Sequence, residues 1–138
     1  LSLIWNKFSN AKLKGQKKVV IFDEAWMFTR YQASAEYLEF ISRKGRKYKI
    51  SLMIASQTLL EFLINDTGRA IINMCASKFL MRQESDMAVQ IAEFFRLSER
   101  TTEIITSADK GQGILINPRE KIFVQITPFD FEWEYVTT

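Results

Sequence analysis

Val19-Val20-Ile21-Phe22-Asp23-Glu24 sets an apolar run directly against two carboxylates. The run is β-branched and aromatic, too short for a helix, and suits a strand buried on both faces. In an open parallel sheet the ligand crevice lies outside the carboxyl ends of the strands, where Asp23 and Glu24 would stand. Nucleotide hydrolysis uses such a pair in divided roles. One carboxylate holds the water shell of a phosphate-bound Mg²⁺, and the other polarises the attacking water. The same residues also suit a buried strand that leaves the core through a solvated acidic turn, a common arrangement. The following segments weigh against that simpler reading.

Residues 50–56, Ile-Ser-Leu-Met-Ile-Ala-Ser, read as a second buried strand that ends at Gln57. Between the two strands, Ala33, Tyr37, Phe40 and Ile41 fall on one helical stripe after a loop around residues 27–31. Strand, helix and strand in succession are the signature of a βαβ crossover. If the strands are neighbours, Asp23, Glu24 and Gln57 emerge at one edge of the sheet. A glutamine there can hydrogen-bond both a terminal phosphate and the lytic water; alone, it could equally cap the next helix. The basic cluster at residues 43–47, with Arg43 and Arg46, stands at the entrance of the second strand, the opposite edge. From there it would reach a neighbouring subunit's phosphates more readily than its own, and a guanidinium suits two-point contact with phosphate oxygens. Positive charge also favours a helix C-terminus, and the two roles are compatible.

At 138 residues the chain has one domain's length, and 47% hydrophobic against 25% charged residues is the balance of a folded globular protein. It contains no histidine, which excludes His-based triads, His-ligated metals and imidazole pH switching. The lone Cys75 excludes an internal disulfide and a cysteine zinc site, and reads as a small buried hydrophobe in a reducing compartment. No signal peptide and no membrane-spanning apolar run is present, so the chain is expected to be cytoplasmic, with peripheral docking on a membrane complex allowed. The net charge of +3 is unevenly spread. Lys7, Lys12, Lys14, Lys17 and Lys18 precede the first strand and read as a solvated surface, although basic clusters can also mark polyanion partners.

Further along, residues 1–14 suggest the tail of a helix ending at Gly15, with Leu3, Ile4 and Phe8 at helical spacing. Asp66 or Thr67 can cap a short helix carrying Ala70, Ile71 and Met74. Residues 78–81 read as a third strand. Ser85 starts a helix with Met87, Ile91 and Phe95 in register, and Ser98 caps another through Ile104 and Ile105. Residues 113–116 and 121–126 flank Asn117-Pro118-Arg119-Glu120, a β-hairpin signal, and Pro128 ends the second arm. The fold class is therefore α/β: a mostly parallel sheet with flanking helices and a C-terminal β-hairpin.

Nowhere does the chain contain G-x-x-x-x-G-K-[ST], the loop that cradles phosphates; its glycines stand at 15, 45, 68, 111 and 113. A nucleotide hydrolase built on the acidic pair would then have half of its site here, as the C-terminal part of a longer ATPase.

Residues 19–26, Val-Val-Ile-Phe-Asp-Glu-Ala-Trp, resemble the Walker B segment of the HerA/FtsK superfamily of ring ATPases. They are most similar to the large TraC/TrbE-like ATPases of type IV secretion and conjugation systems. Residues 43–47 followed by 50–57 resemble that superfamily's arginine-finger segment and its strand ending in glutamine. Residues 109–116 and 123–128 resemble the glycine-led C-terminal hairpin of the conjugation ATPases. Ser56 departs from the commoner threonine, and the Walker A loop is missing.

The resemblance implies that residues 1–138 are the C-terminal portion of a partial RecA-like P-loop ATPase core, from Walker B onward. It implies ATP as substrate and Mg²⁺ held through water by Asp23. Glu24 would be the catalytic base, Gln57 the sensor of terminal phosphate, and Arg43 or Arg46 the finger acting in trans. It further implies a hexameric ring of the parent at the cytoplasmic face of the inner membrane, with other secretion-system components as partners and DNA as a further candidate. The parent would couple ATP hydrolysis to transfer of DNA–protein substrates or to assembly of the secretion machine. Two alternatives share the chain: a DNA-translocating ATPase of the same superfamily, and a non-enzymatic interaction domain that docks through its aromatic tail, residues 129–135.

Overall fold

The computed structural model describes residues 2–13, 15–57 and 59–136. Leu1 and Lys14, included above in the helical tail and the lysine cluster, lie outside the described residues. The chain divides into two compact units, Leu1–Cys75 and Ala76–Thr138.

In the first unit, helix α1 (Ser2–Phe8) and a 3-10 turn (Ala11–Leu13) lead into strand β1 (Lys18–Phe22). A 3-10 turn (Ala25–Phe28) then precedes helix α2 (Gln32–Lys44), where only a loop was expected. A further 3-10 turn (Gly45–Tyr48), strand β2 (Ile50–Ile54) and helices α3 (Leu60–Leu63) and α4 (Asp66–Met74) complete it. β1 and β2 pair in parallel, from Lys18 opposite Ile50 to Phe22 opposite Ile54, so α2 is the crossover of a βαβ unit.

Burial of this pair departs from the expectation of strands covered on both faces. Val20, Phe22 and Ile50 are buried, whereas Val19 and Ile21 are each 62% exposed and Met53 57%. Successive side chains of a strand point to opposite faces, and here one face is packed, with Phe22 meeting Phe28 edge-on at 5.2 Å. Lys18 is also no solvated lysine. It is 8% exposed and donates its ammonium to the carbonyls of Phe8 and Leu13, both at 3.0 Å, tying the preceding turns to the strand.

The buried stripe of α2 is Ala35, Leu38 and Ile41, rotated from the expected Ala33, Tyr37, Phe40 and Ile41. Phe40 instead turns to the flank, where Trp5 meets it at 4.7 Å and meets Tyr48 at 4.9 Å. Aromatic residues at helical spacing thus mark a side cluster here rather than the core. Asn65, not Asp66 or Thr67, caps α4 by accepting the Gly68 N–H at 2.8 Å. Gly68 is required: a Cβ there would collide with the Phe62 carbonyl at the α3–α4 corner.

The second unit comprises β3 (Lys78–Met81), α5 (Ser85–Phe95), α6 (Glu99–Ser107), β4 (Gln112–Ile116) and β5 (Lys121–Gln125). A 3-10 turn (Asp130–Glu132) and α7 (Trp133–Val136) follow. The expected hairpin is present, with Asn117 accepting the N–H groups of Arg119 and Glu120 across its turn. β3 joins it as an antiparallel partner of β4, so the parallel pairing among the described strands is that of β1 with β2. Ala88, Ile91, Ile105, Ile114 and Ile116 form the buried interior. Ser98 caps α6 as expected, accepting the Thr101 N–H. Lys121 donates to the Phe95 and Arg96 carbonyls at the end of α5.

Candidate functional site

Parallel pairing brings the ends of β1 and β2 to one edge. Past the last register pair, the Ala55 N–H donates to the Phe22 carbonyl at 2.8 Å, and the Ala55 carbonyl accepts the Ala25 N–H at 3.0 Å. Both bonds use Ala55, so the residues between Phe22 and Ala25, namely Asp23 and Glu24, are looped out of the ladder. Ala25, fully buried, anchors the far side of that loop. Gln57 follows Ala55 by two positions and is exposed at the same edge. The structure thereby gathers at one sheet edge the segments that carry Asp23, Glu24 and Gln57.

The loop has a particular geometry. Glu24 lies in the left-handed region, at φ 48° and ψ 44°, which for a residue with a Cβ costs of order 1–3 kcal/mol. Its N–H donates to Asp23 Oδ1 at 2.9 Å. Its own carboxylate turns towards the following 3-10 turn, where Oε2 accepts the Trp26 indole N–H at 2.7 Å. The Arg30 guanidinium stacks over the Trp26 ring, 4.3 Å from its centroid. Asp23 is exposed and Glu24 half-buried.

Among the described residues no group of three or more acidic or cysteine side chains is placed to hold a metal ion. Mg²⁺ at a phosphate-transfer site keeps several waters and uses one or two carboxylates plus the phosphates. An exposed aspartate at the strand end fits that demand.

The basic cluster lies at the other edge, before β2. Arg43, in the last turn of α2, is engaged by Glu39, with Nη2 at 2.7 Å and Nε at 2.8 Å from Oε1. Arg46 is exposed in the turn that follows, and among the described residues no side chain pairs with its guanidinium. Trp26 and Arg30 were not foreseen as site residues. The available signal was a donor-only indole two positions behind a carboxylate, which had counted solely as a family mark.

The family model described as the TraG P-loop domain matches residues 3–129. Among solved structures, VirB4 of Thermoanaerobacter pseudethanolicus is similar, with 26% identity and a TM-score of 0.84. That match covers 96% of this chain and 36% of the VirB4 chain, so the present sequence spans little more than a third of it. No curated protein matches the sequence. Among the described residues no helix is long and apolar enough to cross a membrane.

Proposed function

The chain belongs to the TraG P-loop domain family, and from that premise we propose that it is the Walker B-onward portion of a RecA-like ATPase that energises conjugation or type IV secretion. The observation that carries this reading is the sheet edge at which Asp23, Glu24 and Gln57 are gathered, with Glu24 in a left-handed backbone conformation two residues past the end of β1.

In this reading Asp23 holds Mg²⁺ through water, and Glu24 accepts the proton of the attacking water. Gln57 hydrogen-bonds the terminal phosphate and that water from the neighbouring strand. The ion, when bound, neutralises charge developing on the phosphate oxygens. Arg46 is favoured over Arg43 as the finger, because Arg43 is held by Glu39 on its own helix. Their edge is opposite the acidic pair, which supports action on a neighbouring subunit's nucleotide within a hexameric ring. The ring would sit peripherally at the cytoplasmic face of the inner membrane with other secretion components, and DNA–protein complexes would be its cargo.

The phosphate-cradling loop is absent from this sequence, so the chain alone should neither hold Mg-ATP tightly nor hydrolyse it; calorimetry checks this. In the longer protein, Glu24→Gln preserves size and hydrogen bonding but cannot take up a proton. Nucleotide binding should persist while turnover falls by roughly 10²–10⁴. Turnover at the wild-type level would return Asp23 and Glu24 to an ordinary acidic turn.

A further inference from the structure

Glu24, Lys49 and Arg96 are the non-glycine residues with positive φ among those described. Lys49 and Arg96 each terminate a helical segment, where a left-handed residue is the ordinary stop. Glu24 follows a strand and has no such reason. It stands at the N-terminal cap position of the 3-10 turn Ala25–Phe28, yet its side chain makes no capping bond to the backbone. The carboxylate is taken by the Trp26 indole instead, at 2.7 Å, the short end of the range for N–H···O and typical of a bond to a charged acceptor.

Trp26 is itself secured from two sides. The Arg30 guanidinium covers its ring. Its carbonyl accepts both the N–H of Thr29, at 3.0 Å, and the Thr29 hydroxyl, at 2.7 Å, and Thr29 is 6% exposed. An indole has one N–H donor and no acceptor, whereas a carboxylate has two oxygens. Binding Oε2 therefore fixes the Glu24 rotamer and leaves Oε1 with the capacity to hydrogen-bond a water. A general base acts efficiently only when its oxygen is held within hydrogen-bond reach of the proton it removes.

We infer that Trp26 is a positioning residue for Glu24: its indole N–H holds one carboxylate oxygen so that the other faces the attacking water, with Arg30 steadying the ring. The inference rests on the proposed role of Glu24 as general base, and the test separates the two.

The first arm needs no ATPase activity. In ¹H–¹⁵N spectra of this chain, Trp26→Phe identifies the Trp26 indole signal by its loss. Glu24→Ala should then move that signal upfield and speed its exchange with solvent, while the indole signals of Trp5 and Trp133 stay in place. A Trp26 signal unmoved by Glu24→Ala overturns the contact.

The second arm uses the full-length ATPase. Trp26→Phe keeps a ring beneath Arg30 and deletes only the donor. It should lower kcat about 10-fold, the scale of a lost hydrogen bond to a charged group, with KM for ATP within about twofold. On a Glu24→Gln background the same substitution should produce no further loss. An equal loss on both backgrounds, or no loss in the wild type, overturns the positioning role. A Glu24→Gln protein with wild-type turnover would instead sink the general-base reading, and the spectra would still decide whether Trp26 holds Glu24.

Discussion

The parallel pair of Leu1–Cys75 hides Val20, Phe22 and Ile50 on one face and leaves Val19, Ile21 and Met53 largely exposed on the other. In Ala76–Thr138 the central strand β4 lies between two antiparallel partners, with Gly113, Ile114 and Ile116 all buried. In the second sheet the β4–β5 pairing closes through a local turn, while β3 reaches β4 only across α5 and α6. The first sheet has no local pairing: its two strands meet only across the crossover helix, and parallel sheets are ordinarily covered on both faces. An apolar outer face on a parallel pair fits the proposed place of this chain within a larger ATPase core. The candidate chemistry follows the same division. Both carboxyl ends of the adjacent parallel strands open to one edge, whereas neighbouring antiparallel strands send theirs to opposite edges.

The largest effect should come from the far edge of the parallel pair. In the full-length protein, Arg46→Ala should leave ATP binding intact and reduce hydrolysis by ~10³–10⁵. Mixing it with a Walker A mutant should restore partial activity, because a mixed ring contains intact interfaces. Loss without recovery, despite proven subunit exchange, would mean that the arginine acts within its own subunit. Full activity of both Arg43→Ala and Arg46→Ala would reduce the cluster to a solvated helix end.

Core truncations sharpen the contrast next. Phe22→Ala on the packed face of β1 should destabilise the chain by about 3–5 kcal/mol, and Ile91→Ala in the second unit by about 2–5 kcal/mol, read by chemical denaturation. A negligible loss for Phe22→Ala would show that the packed face contributes little without a second covering layer. The helix caps should matter less and about equally in the two units. Asn65→Ala and Ser98→Ala should each cost about 1 kcal/mol.

The smallest effect should be on the exposed face. Ile21→Thr, one residue from Phe22, should change stability by no more than about 0.5 kcal/mol, while improving solubility. A loss comparable to that of Phe22→Ala would show that the outer face is covered in solution, by self-association for example, which the concentration dependence of unfolding would reveal.

The resemblance to type IV secretion ATPases, read from residues 19–26, 43–47, 50–57, 109–116 and 123–128, is borne out by the family match and by the likeness to VirB4. Most elements were legible because each carries a local signal. The apolar runs gave the strands, Ser98 the start of α6, and Asn117-Pro118 the hairpin. The stripe of α2 was misread because aromatic residues look like core from spacing alone. Phe40 is instead drawn aside by Trp5, a partner distant in sequence, and Tyr37 packs against Phe40 at 5.7 Å. Lys18 looked like one lysine among several. Its burial depends on the Phe8 and Leu13 carbonyls, whose position no local pattern reveals.

By itself the sequence determined the α/β class, the strands and the acidic pair, because apolar runs, periodicity and turn residues act over a few neighbouring positions. It also determined which chemistry was open to the chain, since residues that are absent can do nothing. Only the tertiary structure decided that β3 joins the hairpin, that one face of the parallel pair is packed, and that Glu24 is turned back onto Trp26. Those outcomes depend on pairing partners, on the layer available to each face and on the backbone angle at one residue. Glu24 lies between two ladder bonds to Ala55, which lies beyond the crossover helix, and no run of neighbouring residues encodes that pairing.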